Sequence, residues 1–550
     1  MILRRQGFCV SSLALLAACA IGALTTRAQR SAPAIELAAP IAVYLHEPAS
    51  DVFPAAPPFG EVNALHDLDQ LVRLKKSGMR VDYDLLDASA IAPDGLHPIG
   101  HTAAWPNGPE IWIARCRAAG IRPGLRFYPS ALHPDSHAPD LSKGLFPPEF
   151  ISALQSWYDR GIRLFVFGSL DSDAALAAFH AQNRDAVLLA IEKGSSVSDA
   201  FPAFQLIAAG PPRGPSWPET SVERADEIES DSEIRRVEQT GVPLAHTLSE
   251  SFIAAPACLE DSCASDSRPA LACPWKGDFL LSEARGGWVH PLIGDLDSIQ
   301  AGDARWMARA QRLFFELESH GRISSFGGAP WSGLPYGFAG GNSRGAVYFV
   351  VNPGQAVARL SLPALASGQP GGTGRILFRD AGFSPHLADN AITLGPGQMA
   401  AVGFGAYSAQ EFNFGVQQEV VIPTAIEPID ADFHLTAPGV LEARFDPPIR
   451  GVLRVIVSES ASSGDPPKVD PHASGNHHLT LEINQGGRPI PLRPEGTGSD
   501  GESILNAGLS WAIAEIDVND LTPGVPVHVL FRSDEKSAMT LDGTAYQVIY

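Results

Sequence analysis

The sequence predicts a (β/α)8 TIM barrel followed by two antiparallel β-sandwich domains, and three observations carry that prediction. Short apolar runs alternate with helical patterns from about Ile41 to Gly321, the signature of an α/β unit. Beyond Gly321 the apolar residues recur every second position instead, and Gly, Pro and Asn punctuate the runs. Finally, eight strand-like runs fit within residues 35–322, an ordinary span for a barrel of about 250 residues.

The eight expected strands are Ile41–Leu45, Val81–Leu86, Arg122–Tyr128, Arg163–Phe167, Ala186–Ile191, Phe204–Ala208, Val242–Thr247 and Asp278–Ser282. Helices are expected over Val62–Lys76, Pro109–Ala118, Pro148–Arg160, Asp173–Asn183, Ser221–Thr240 and Asp303–His320. The crossover between the fifth and sixth strands leaves little room for one. Residues 323–408 then read as a small β-sandwich, with strands such as Ala346–Asn352 and Met399–Gly405. Residues 416–550 read as a second β-sandwich, an accessory domain built on runs such as Gly451–Glu459 and Val527–Arg532.

Residues 1–28 carry no fold information: Arg4 and Arg5 precede an apolar stretch that ends in small residues, the pattern of an export signal. Leu16-Ala17-Ala18-Cys19 also reads as a bacterial lipoprotein box, which would anchor the chain through lipid on Cys19. The expected location is therefore periplasmic, extracellular or outer-surface. The formal charge is −21, and removal of three arginines with the signal takes it near −24. Such a surface repels phosphate backbones, so nucleic acid is not an expected partner. In an exported chain, Cys258, Cys263 and Cys273 are spaced for a disulfide that pins one long loop. They lack the fourth ligand a zinc site needs, and neither metal nor cofactor is expected. Cys116 falls inside a helical pattern and reads as buried and inert.

One stretch points to chemistry. Gly78 to Ser89 is a strand ending in a carboxylate at Asp87, and Trp105-Pro106-Asn107-Gly108 precedes a helix. Ala119-Gly120-Ile121-Arg122-Pro123-Gly124-Leu125-Arg126 then opens the next strand. These segments resemble the α-galactosidase (melibiase-like) clan of glycoside hydrolases. The resemblance implies a barrel whose C-terminal face binds sugar, with Asp87 gripping hydroxyls and Arg126 and Tyr128 lining the pocket.

The resemblance breaks at the reacting groups. The clan's paired aspartates are here Asp87 and Ala88, and its nucleophile position is occupied by Gly168. The sixth strand runs into Ala209-Gly210-Pro211 with no acid. A retaining glycosidase needs two carboxyl groups about 5 Å apart. The substitutes read from strand ends are Asp171, after the fourth strand, and Glu283, after the eighth; these form the candidate catalytic pair. Glu250 follows the seventh strand, and Arg285 and Trp288 share a glycine-rich loop with Glu283. Together with Trp105, these are the further candidate sugar contacts. For each, a structural reading stands beside the functional one: ion pairs are often architectural, and a Trp is most often packed. His46, His101, His246 and His290 have no metal spacing and read as hydrogen-bonded structural residues.

The sequence thus predicts an exported glycoside hydrolase-like protein acting on carbohydrate. Gly168 keeps a second reading open, a non-catalytic carbohydrate-binding or cell-surface protein on a degenerate barrel.

Overall fold

The computed structural model describes residues 37, 39–46, 59–92, 96–97, 101–127, 148–168, 174–192, 204–208, 225–248, 252–254, 271, 275–365, 373–461, 479–490, 505–506, 509–533 and 539–550. The expected export signal and lipoprotein cysteine, Tyr128, Asp171, Glu250, Cys258, Cys263 and Cys273 lie outside them. No helix among the described residues is long and apolar enough to cross a membrane.

The N-terminal half is a parallel sheet that closes on itself. Its strands are β1 (Ile41–Leu45), β2 (Tyr83–Asp87), β3 (Arg122–Phe127), β4 (Leu164–Gly168), β5 (Val187–Glu192), β6 (Phe204–Ala208), β7 (Thr247–Leu248), β8 (Ile253–Ala254) and β9 (Val289–Gly294). The order is β7-β6-β5-β4-β3-β2-β1-β9-β8, every pairing parallel. β7 and β8 are two pieces of one stave, the first on β6 and the second on β9. The same stave meets β9 at both ends: Trp288 N–H donates to the Ala245 carbonyl at 3.1 Å, and Asp295 N–H to that of Ala254 at 2.6 Å. Counted this way the sheet has eight staves and is a closed barrel.

The outer layer comprises α1 (Glu61–Lys76), a single turn α2 (Ala88–Ile91), α3 (Pro109–Ala118), α4 (Pro148–Arg160), α5 (Ala174–Gln182), α6 (Ala225–Gln239), α7 (Lys276–Ala284) and α8 (Ala301–His320). Helices start where the sequence supplies the means. Pro109 at the first turn of α3 gives up an N–H that has no partner there anyway, and Gly108 takes the left-handed φ of 72° that precedes it. On α1 the apolar positions Ala64, Leu68, Leu71 and Leu74 fall on one face and are buried against the sheet.

Strand alternation divides the side chains between two cores. Val43, Leu85, Leu164, Val166, Leu189 and Ile293 fill the barrel interior. The opposite faces join a larger core that includes Trp112, Trp157, Phe279 and Met307. At about 25 cal/mol per Å2 of apolar surface buried, these two cores are the main source of stability.

Two expected strands differ. Asp278–Ser282 is the middle of α7, and the eighth stave is Val289–Gly294. A three-residue apolar run, Phe279-Leu280-Leu281, has no period that separates strand from buried helix, and both its faces are covered here. Val242–Thr247 is mostly a 3-10 turn (Leu244–His246) leading into β7.

Beyond α8 the chain forms a six-stranded sheet, β10 (Ser324–Gly327), β11 (Tyr336–Asn342), β12 (Gly345–Val351), β17 (Met399–Gly405), β14 (Arg375–Gly382) and β18 (Gly415–Ile422) in that spatial order. A three-stranded sheet, β13 (Ala358–Ser361), β16 (Ala391–Leu394) and β15 (His386–Ala388), packs on it. The sequence pattern places β18 in the terminal domain, but it pairs with β14 in this one. The terminal unit starts at Ala425 and consists of two five-stranded sheets around a separate core that includes Leu453, Val455, Val529 and Phe531.

Candidate functional site at the barrel mouth

The C-terminal ends of β2 and β3 place two side chains in the mouth of the barrel. Leu85 points into the barrel, so Asp87, two residues on, points the same way at the strand's end. On β3, a side chain at Gly124 would run into Leu85 and Leu164 at 2.9 Å, which shows that this face is also interior. Arg126 shares that face. Asp87 and Arg126 are paired in register across the two strands.

The guanidinium grips the carboxylate as a fork, Nε donating to Oδ1 at 2.9 Å and Nη2 to Oδ2 at 3.4 Å. Arg126 is 12% exposed and Asp87 9%, so the pair is sheltered with only an edge left exposed. A charge-assisted fork fixes both groups. Each Asp87 oxygen retains capacity to accept from a ligand hydroxyl. On β4, Gly168 lies two residues beyond the inward Val166 and brings no functional group to the mouth.

The other candidates stand elsewhere. Trp105 is fully buried in the outer core, and its Nε1 has no hydrogen-bond partner among the described residues. An indole so enclosed has no face for a sugar ring. Glu283 is not at a strand end but in α7, where its carboxylate meets His290 Nδ1 at 3.0 Å, an ion-pair contact without hydrogen-bond alignment. Because α7 leads into the start of β9, Arg285 and Trp288 lie at the N-terminal end of the barrel, opposite the mouth. Conserving architecture, not binding, is what that end does in barrel enzymes.

Three buried ionic clusters occupy the layer between barrel and helices. His46, just past β1, lies between Asp84 Oδ1 at 2.6 Å and Asp67 Oδ2 at 3.1 Å, and Trp112 Nε1 donates to the other Asp84 oxygen at 2.8 Å. Burial alone would push this imidazole down, but the Asp84 and Asp67 carboxylates outweigh it and raise it to about 9. His290 repeats the arrangement between Glu318 at 2.8 Å and Glu283, again raised, to about 10. In the third cluster, Arg285 Nε donates to Asp231 and Nη2 to Glu227, both at 2.7 Å, and Tyr336 O–H donates to Asp231. That ties α6, α7 and β11 together. The histidines were expected to be structural, and both are clamped. The carboxylates that clamp them come from other elements, so no local motif announces them.

Cys116 is buried and free, and its thiol is pushed up by burial and by Asp84. Among the described residues no group of His, Cys, Asp or Glu is arranged to hold a metal ion.

The sequence matches no protein-family model and no curated protein. Among solved structures it is similar to a Nostoc punctiforme debranching enzyme soaked with acarbose, at 11% identity and TM-score 0.40, covering 68% of this chain and 100% of that one. It is also similar to the trehalulose synthase MutB from Pseudomonas mesoacidophila MX-45, at 12% identity and TM-score 0.40, covering 66% and 99%. Neither is an α-galactosidase, the relative that the sequence motifs favoured. The barrel is established by its own strand pairing, and a likeness at these values assigns neither substrate nor reaction.

Proposed function

We propose that the chain is an exported glycoside hydrolase-like protein that binds carbohydrate at the C-terminal face of its barrel. The observation that carries this reading is the Asp87–Arg126 fork, facing inward at adjacent strand ends where barrels keep their ligands. A fixed carboxylate beside a guanidinium offers acceptors and donors to neighbouring sugar hydroxyls. It has no preference for a net-charged ligand, because the pair is neutral overall. Asp87 is a binding group in this reading. Both of its oxygens already accept from Arg126, which fixes its orientation toward a ligand.

Hydrolysis would need two further carboxyl groups at the mouth, and Glu283 is not one of them, since it is buried in the helical layer beside His290. Gly168 at the inward end of β4 supports the second reading, a carbohydrate-binding protein without turnover. A panel of aryl α- and β-glycosides incubated with the full chain separates the two. Release that is lost in Asp87→Ala supports the hydrolase. Saturable glycan binding without release, lost in the same variant, supports the binder. If neither release nor binding occurs, both readings fail.

A further inference from the structure

A groove on the outside of the barrel, between the turn after α1 and the outer face of α8, is lined by four arginines. Arg305, Arg309 and Arg312 follow one another at i, i+4 and i+7 on α8, and Arg80 faces them from the segment before β2. Seven residues of helix rise about 10.5 Å, so the three α8 guanidinium groups form one short row. Among the described residues only Arg80 of the four has a carboxylate partner, Asp82 at 2.7 Å. Arg309 donates to the Glu411 and Asn413 carbonyls at 3.3 and 3.4 Å, which fixes it without neutralising it. Arg305 and Arg312 have no partner among the described residues. Glu316, one turn beyond Arg312, is held by Arg344 and Tyr407 instead.

In a chain with 61 acidic and 40 basic residues, an unneutralised row of this kind reverses the prevailing sign. Like charges four residues apart also destabilise a helix. The groove is shaped as well as charged. It is an open groove of about 830 Å3, within the range of small-molecule sites of about 300–1,000 Å3. Gly78, Gly302 and Ala308 keep it open, and Gly78 (φ 102°) occupies a backbone region that excludes most side chains. Arg80 stacks on Phe315 at 4.3 Å, so one wall is rigid.

We propose that this groove binds a small ligand carrying at least two oxyanions, phosphates or carboxylates, each received by a guanidinium fork of the row. Titration calorimetry of the full chain at low ionic strength, with pyrophosphate in one arm and citrate in the other, tests it. The expected result is saturable one-to-one binding in at least one arm, weakened at least tenfold in Arg305→Glu/Arg312→Glu. The distant reversal Arg450→Glu should leave it unchanged. The tighter arm identifies the anion, and equal affinities support the shared chemistry. No saturable heat in either arm would overturn the proposal, as would an equal loss in Arg450→Glu, which would mark the binding as diffuse attraction.

Discussion

Asp87 and Arg126 face each other across β2 and β3 as a bidentate pair at the barrel's C-terminal rim, the carboxylate oxygens 2.9 and 3.4 Å from the guanidinium nitrogens. The pair is neutral, fixed and slightly exposed. Arg126→Ala leaves Asp87 with its charge uncompensated in a sheltered site. Because solvent reaches the pair, the cost in stability is expected to stay near the 1–3 kcal/mol of an unsatisfied polar group. Chemical denaturation reads it, and a cost above about 4 kcal/mol would mean the pair is part of the core.

His46 makes stability depend on alkaline pH. Its ordinary value of 6.5 is raised to about 9 in the fold by Asp84 and Asp67, against the opposing effect of burial. A raised folded value means the contribution is complete below pH 6.5 and fades as pH climbs through 9. Urea unfolding between pH 6 and 10 should show that decline, with a shallower slope in His46→Gln. An unchanged slope would mean the imidazole is neutral in the folded protein.

Breaking the Arg285 cluster should cost stability and leave ligand affinity alone. Arg285→Ala strands Asp231 and Glu227 in the interior, an expected loss of about 3–5 kcal/mol. Glycan affinity of the folded fraction should be that of the parent protein, since the cluster lies at the opposite end of the barrel from the mouth. A large affinity loss at constant stability would return Arg285 to the binding surface.

The place where the chain is cut decides whether the remainder folds. Truncation after Pro423 removes a sandwich with its own core, and the remainder should unfold cooperatively within a few degrees of the parent. Truncation after Tyr407 also removes β18. It takes Gln417, which accepts the Gly277 N–H at 2.8 Å, and Phe414, whose carbonyl accepts from Trp306 Nε1 at 3.0 Å. That shorter product is expected to aggregate. Equal behaviour of the two would contradict the assignment of β18 to the middle domain.

Much of the frame was legible because period and punctuation are local. The helix Pro109–Ala118 and the strands Ile41–Leu45 and Phe204–Ala208 have the bounds that the patterns predict. Asp87 and Arg126 were legible as strand-end residues, although their union depends on a register that no pattern encodes. Glu283 was misplaced because Phe279-Leu280-Leu281 reads as a strand when its neighbours on both faces are unknown. With the strand went the loop, and Arg285 and Trp288 were carried to the wrong end of the barrel. Trp105 failed differently. Its loop was placed correctly, but whether an indole in a loop packs inward depends on distant contacts.

If Asp87 and Arg126 organise a carbohydrate site at the barrel mouth, Asp87 must carry part of its affinity. The most direct test is the dissociation constant of the purified full chain for a panel of neutral oligosaccharides, measured beside Asp87→Ala. Saturable binding to at least one member is expected, weakened about tenfold or more in the variant, the scale of losing a hydrogen bond to a charged group. An Asp87→Ala protein that binds the same glycan as tightly as its parent would contradict this role of Asp87.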